Sequence, residues 1–205
     1  MYALTDLAFV ILAGGHSRRM GRDKATLELA GERLIDRAVR LALSCTDEVV
    51  VARGAAHRAP IVGLDVPQVA DQWPGSGALI GIHAGLRSVA GQTVVVIACD
   101  MPLLERAYLL DLAVLIDGHD VVVPRVDAGL QPLCAVYHRS CLSAIEVNLE
   151  REERQVFAFY SEVRTREVRL DQMDGWGDRE DLFLNVNSPG DLARAEGLMR
   201  GQGSG

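Results

Sequence analysis

Apolar positions along the chain fall into two kinds of pattern. Short unbroken runs alternate with longer stretches in which apolar residues recur every three or four positions. Leu7-Ala8-Phe9-Val10-Ile11-Leu12 is apolar throughout, and Thr93-Val94-Val95-Val96-Ile97-Ala98 nearly so. Such runs fit strands buried on both faces. Glu48 to Ala52 reads as a further strand, Leu133 to Tyr137 as another, and Val121-Val122-Val123 as one ended by Pro124. Val163 to Leu170 mixes Val and Leu with Arg and polar residues, which predicts an edge or surface strand. Helical spacing appears in Leu34 to Ser44, where Leu34, Ile35, Ala38, Val39, Ala42 and Leu43 share a face. Leu79 to Val89 and Arg106 to Ile116 read as helices too, the first with Gly81 and Gly85 on one side for close packing on a sheet. Ser140 is placed to cap a helix through Leu149, and Ser188-Pro189 to open the last one.

Strands that alternate with helices predict an α/β fold, a three-layer sandwich with a mostly parallel, Rossmann-like sheet covered on both faces. The 205 residues suit a single domain over 1–200, with 201–205 as a flexible tail. No apolar run approaches the ~20 residues of a membrane span. The start of the chain is not a signal peptide, because Asp6 interrupts it and no basic residue precedes the apolar run. Cys45, Cys99, Cys134 and Cys141 form no C-x-x-C pair, so neither zinc nor redox chemistry is indicated. A cytoplasmic protein is expected.

A net charge of −7 argues against a nucleic-acid binder. The exception is local: Arg18, Arg19, Arg22 and Lys24 cluster after the first strand, and Lys24 is the one lysine beside 20 arginines. A basic spot on an acidic chain suits a small polyphosphate. In open sheets of this kind, ligands lie beyond the carboxyl ends of the strands. After the first strand come Ala13-Gly14-Gly15, a turn whose backbone amides can approach phosphate oxygens. The spacing is neither G-x-x-x-x-G-K-[ST] nor G-x-G-x-x-G. Arg18 can grip a phosphate with two bonds, and Lys24 can act as a point charge. After the central strand comes Cys99-Asp100-Met101-Pro102, where Asp100 either holds Mg²⁺ or caps a turn. Asp71, before Pro74-Gly75-Ser76-Gly77, either meets base, ribose or metal or stabilises a turn. Trp73 and Trp176 are candidates for ring stacking or for packing, and the five histidines show no metal spacing.

These segments, taken together, closely resemble the signature of the molybdenum cofactor guanylyltransferase (MobA) family of the nucleotidyltransferase superfamily. The matching strings are Leu12-Ala13-Gly14-Gly15-x-Ser17-x-Arg19-Met20-Gly21-x-Asp23-Lys24, Asp71 with Gly77-Ala78-Leu79-Ile80-Gly81, Cys99-Asp100-Met101-Pro102, Gln131-Pro132-Leu133-Cys134-Ala135-Val136-Tyr137, and Asn185-Val186-Asn187-Ser188-Pro189. They span Leu7 to Met199. The chain departs from the pattern at Ala78 and Ile80, where Pro and Ala are usual, and at Ala52, where some members carry Asn.

The resemblance implies an enzyme that transfers GMP from GTP to the terminal phosphate of molybdopterin and releases pyrophosphate. It implies Mg²⁺ as the cofactor ion, with Mn²⁺ as its alternative, and cofactor-delivery proteins and acceptor molybdoenzymes as further partners. It assigns backbone contacts to Leu12, Ala13, Gly14 and Gly15, charge neutralisation to Lys24 and Arg18, a nucleoside contact to Asp71, and the metal to Asp100. Asn185, Asn187 and Gln131 become candidates for the pterin, with helix capping as the other reading of Asn187. A cytidylyl or sugar-phosphate nucleotidyltransferase, or a non-catalytic GTP-binding module, stands as the alternative.

Overall fold

The computed structural model describes residues 6–14, 26–177 and 179–202. In chain order the elements are β1 (Leu7–Leu12), β2 (Glu28–Leu29), β3 (Glu32–Arg33), α1 (Leu34–Leu43), β4 (Val49–Ala52), β5 (Gln68–Val69), α2 (Ala78–Ser88) and β6 (Thr93–Ala98). They continue with α3 (Arg106–Val114), β7 (Val121–Val126), β8 (Gly129–Leu130), β9 (Cys134–His138), α4 (Cys141–Glu150), β10 (Thr165–Arg169) and α5 (Pro189–Gln202). One sheet takes the order β10-β7-β9-β6-β1-β4-β5, with β8 paired to β7, while β2 and β3 form a separate hairpin.

The unbroken apolar runs are the reason β1 and β6 sit at the centre. Every residue from Ala8 to Ile11 and from Val94 to Ala98 is buried, which requires cover on both faces. Two apolar layers supply it. One, on the α1 and α3 side, includes Phe9, Ile11, Ile35, Val95, Ile97 and Leu109. The other, on the α2 and α4 side, includes Val10, Ile80, Val94, Val96, Tyr137 and Ile145. A smaller cluster joins Leu29 of the hairpin and Leu34 to Val186 and to Ala195 of α5. Among the described residues no helix is long and apolar enough to cross a membrane.

The sheet is mostly parallel, as expected: β1 runs parallel to β4 and β6, β4 to β5, and β7 to β10. Strands β8 and β9 are the exceptions: β9 is antiparallel to both β6 and β7, and the short β8 to β7. The expected edge strand is β10, at the margin of the sheet. Glycines in α2 do what their spacing suggests. A Cβ at Gly85 would lie 2.3 Å from Val10 Cγ1, so the helix seats directly on β1.

Three boundaries differ from the sequence reading. Strand β7 continues through Pro124 to Val126. The Pro124 carbonyl accepts the Gln131 amide at 2.8 Å, so the missing N–H of Pro124 faces that same side. There the β9 ladder has already ended, after Val122, so the proline costs no bond to β9. Ser140 precedes α4 without a side-chain cap, because its own backbone is already helical (φ −57°, ψ −19°) rather than extended, and its hydroxyl donates to Asp120 Oδ1 at 3.0 Å. Helix α5 extends to Gln202, so 201 and 202 belong to it rather than to a tail. Its start is as expected: the Asp191 amide donates to Ser188 Oγ at 3.2 Å, and Ser188 Oγ donates to Asp191 Oδ2 at 2.9 Å.

Candidate active site

Six segments that are separate in sequence meet at the carboxyl edge of the sheet. Leu12, Ala13 and Gly14 leave β1, and the Ala13 amide donates to the Ala52 carbonyl at 2.9 Å. Gly14 then lies against the segment that leaves β4. A Cβ on Gly14 would come within 3.1 Å of Gly54 Cα, and one on Gly54 within 2.9 Å of Gly14 Cα. Gly54 also has a φ of +86°, which only glycine adopts freely. The two turns therefore touch backbone to backbone. Arg58 closes the back of this contact, with Nη1 3.4 Å from the Ala13 carbonyl. Its own carbonyl accepts from Arg53 Nη1.

Asp71 follows β5, and its amide donates to the Gly54 carbonyl at 2.9 Å. One carboxylate oxygen, Oδ1, is buried and meets no hydrogen-bond partner among the described residues. Burial pushes the carboxyl above its ordinary range, and the positive charges of Arg58 and Arg53 offset part of that rise. A buried acceptor left unmatched costs free energy unless something else fills it. A Cβ on Gly81 of α2 would stand 3.2 Å from Leu12 Cδ2 and 4.0 Å from this oxygen, so bare helix backbone flanks it.

Asp100 terminates the central strand β6 and is 8% exposed. The Cys99 amide donates to the Leu12 carbonyl at 3.1 Å, and the Met101 amide to the Ala98 carbonyl at 3.3 Å. The Asp100 carbonyl accepts the Val186 amide at 2.8 Å. That single bond brings Asn185 and Asn187 to the same edge. Asn185 Nδ2 donates to the Phe183 carbonyl at 3.1 Å, and the Asn187 amide donates to Asp191 Oδ2 at 3.0 Å. Helix capping in this region falls to Ser188 and Asp191. Gln131 precedes its strand rather than following it, yet it reaches this edge because β9 runs antiparallel. The Leu133 carbonyl accepts the Ala98 amide at 2.8 Å.

The fold thus gathers Leu12, Ala13, Gly14, Asp71, Asp100, Gln131, Asn185 and Asn187. Gly15, Arg18 and Lys24 lie outside the described residues, as does His16. Both tryptophans pack. Trp176 donates from Nε1 to Asp111 Oδ2 at 2.9 Å and stands edge-on to Tyr108, and Trp73 stands edge-on to buried His83 at 6.0 Å. Gly54, Arg53 and Arg58 were not singled out in the sequence. Their signal was their place directly after β4, where the carboxyl-edge rule points.

Among the described residues no three His, Cys, Asp or Glu side chains group as a metal cage. Mg²⁺ needs none, because it commonly takes one or two carboxylates and fills its shell with phosphate oxygens and water. Asp100, a carboxylate at the carboxyl edge of the sheet, suits that coordination.

Known proteins align over most of this chain. It is 40% identical to the probable molybdenum cofactor guanylyltransferase of Pelotomaculum thermopropionicum, covering 96% of this chain and 95% of that one. It is 36% identical to the molybdenum cofactor guanylyltransferase of Desulfosudis oleivorans, covering 93% and 95%. The crystal structure of molybdopterin-guanine dinucleotide biosynthesis protein A from Archaeoglobus fulgidus superposes with a TM-score of 0.83 at 25% identity, covering 95% and 99%. Residues 9–166 match the family described as the MobA-like NTP transferase domain, and the chain belongs to that family.

Proposed function

We propose that this chain transfers GMP from GTP to the terminal phosphate of molybdopterin. The observation that carries the reading is the convergence of bare backbone, an unmatched buried carboxylate oxygen and a strand-end aspartate at one edge of the sheet. The Gly14–Gly54 contact leaves room for the nucleotide to approach main-chain groups closely. Asp71 Oδ1 is an acceptor awaiting an N–H or O–H of the nucleoside. The guanylyltransferase names of the relatives support guanine as the base.

Asp100 is the residue that would hold Mg²⁺, or Mn²⁺ in its place. When bound, the ion would neutralise charge on the phosphate oxygens. Lys24 and Arg18 are assigned to the triphosphate, in accord with the family signature. An oxygen of the molybdopterin phosphate attacks the α-phosphorus, a new P–O bond forms, and the bond to the β-phosphate oxygen breaks to release pyrophosphate. The acceptor phosphate is already ionised near pH 7, so no general base is required. The protein's work is positioning and charge stabilisation. Asn185, Asn187 and Gln131, on the other side of Asp100 from Asp71, are assigned to the pterin, whose ring is rich in donors and acceptors. The four cysteines are free thiols, which supports a cytoplasmic setting.

The test is pyrophosphate release with Mg²⁺ and molybdenum-loaded molybdopterin, comparing GTP, CTP and ATP. Release with GTP alone is expected. Release with CTP would move the chain to cytidylyl transfer, and no release with any nucleotide would overturn the enzymatic reading.

A further inference from the structure

The turn that carries Asp100 is fixed by more than its own strand. On one side it is held by main-chain bonds, from the Cys99 amide to Leu12 and from the Val186 amide to the Asp100 carbonyl. On the far side the hold comes from a side chain. Arg37 of α1 donates from Nε to the Pro102 carbonyl at 2.8 Å. Its Nη1 also lies 3.4 Å from Glu32 Oε2 of the β2–β3 hairpin. Glu32 is in turn gripped by Arg40, at 3.0 Å to Oε1 and 2.9 Å to Oε2. The Arg37 guanidinium is therefore oriented from both ends.

Packing also bears on this turn. A cavity of about 70 Å³ lies between α1 and the turn, lined by Leu34, Arg37, Leu41, Cys99, Met101 and Pro102 among others. The apolar side chains of the turn pack into the core, with Cys99 and Met101 each 5% exposed. The Arg37–Pro102 bond adds a directional tie from α1 beside this space.

We propose that Arg37 is a positioning residue for guanylyl transfer, holding the Cys99–Pro102 turn so that the Asp100 carboxylate keeps the place from which it binds the divalent cation. This rests on the assignment of Asp100 to the metal. Arg37 touches neither substrate nor ion, and it acts through the Pro102 carbonyl. Groups that orient a ligand's backbone or side chain without binding the ion often matter nearly as much to the site as the ligand itself.

The experiment measures Mn²⁺ binding by electron paramagnetic resonance of the free ion, with GTP present and no molybdopterin, so that no turnover occurs. Wild type, Arg37→Ala, Arg37→Lys and Asp100→Asn are compared. GTP affinity in EDTA and Tm are measured on the same samples. Arg37→Ala is expected to weaken Mn²⁺ binding by about 10-fold or more, with metal-free GTP affinity and Tm near wild type. Arg37→Lys, which can still donate to Pro102, is expected to recover most of the loss. Unchanged Mn²⁺ affinity in Arg37→Ala overturns the proposal. So does a loss matched by metal-free GTP affinity and Tm, or one that lysine does not repair. Asp100→Asn separates the two assignments. If it binds Mn²⁺ like wild type, the metal role of Asp100 falls and the role of Arg37 with it. If it binds weakly while Arg37→Ala does not, only the inference about Arg37 falls.

Discussion

The two edges of the sheet are built on opposite principles. At the amino edge, Asp120 precedes β7 and spends its carboxylate fully. Arg164 donates to it from Nε at 2.9 Å, from Nη2 at 3.0 Å and from its own backbone amide at 3.0 Å, and Ser140 adds a bond at 3.0 Å. At the carboxyl edge, Asp71 keeps a buried oxygen unmatched, and Gly14 and Gly54 expose bare main chain to each other. One edge is a clasp whose hydrogen bonds close on themselves and fasten β10 to the sheet. The other leaves a buried carboxylate oxygen unmatched. Buried polar groups ordinarily find partners, so an acceptor left unmatched on the same edge as Asp100 marks a place shaped for something that arrives later.

That contrast can be broken most forcefully at Asp100. Asp100→Ala, and Lys24→Ala beside it, should each lower kcat by about 10²–10³, or roughly 2.7–4 kcal/mol of transition-state stabilisation, with Tm close to wild type. Near-normal guanylyl transfer by either variant removes that residue from the mechanism. Gly54→Ala should act on both binding and stability. It forces an alanine into a left-handed conformation, at a cost of about 1–3 kcal/mol, and drives its Cβ against Gly14. GTP affinity and Tm should fall together, and an unaffected GTP affinity would mean that the turn lies away from the nucleotide.

The clasp at the other edge should behave differently. Asp120→Asn is expected to lower Tm by about 2–4 °C for each kcal/mol lost in a domain of this size, with kcat and KM unchanged. Hydrogen bonding from Arg164 holds the Asp120 carboxyl well below the usual carboxylate range. Its stabilisation is therefore present above the unfolded pKa of about 3.9 and is lost as pH falls toward the folded value. Stability measured from pH 5 downward should decline less steeply in the asparagine variant.

The smallest shift should come from Asp71→Asn, and it has the opposite sign. Burial raises the Asp71 carboxyl, so its ionised form costs the folded state stability at neutral pH. The variant should gain slightly in Tm at pH 7 and lose GTP affinity, and the gain should shrink as pH falls and the wild-type carboxyl is protonated. A variant that loses Tm and keeps GTP affinity would make Asp71 a turn residue.

Much of this was legible along the chain, because the informative features are local. The buried runs Leu7–Leu12 and Thr93–Ala98 declared the central strands, and the carboxyl-edge rule then led to Gly14 and Asp100 without any view of the fold. Gly81 and Gly85 announced a helix lying close on a strand, although not which strand. What stayed hidden depends on pairing. Pro124 reads as a terminator unless it is known that the pairing of β7 with β9 ends two residues earlier, at Val122. Ser140 reads as a cap until its backbone is seen to be helical already, with its hydroxyl turned to Asp120, twenty residues upstream. Gly54 matters because Gly14 lies against it, and Arg37 because Pro102 lies 65 positions further along. No periodicity encodes such meetings. The fold as a whole tolerates being inferred from pattern, whereas the fine tuning of the site does not.

The reversed strand β9 gives the sheet a seam. Everything up to β6 supplies the Gly14–Gly54 contact and Asp71, while Gln131 and the Asn185–Asn187 segment arrive only after it. In the sheet the two parts are stitched by one antiparallel ladder, from Thr93 opposite His138 to Ile97 opposite Cys134. Recombination at that seam would exchange one half while preserving the other, with Asp100 at the join.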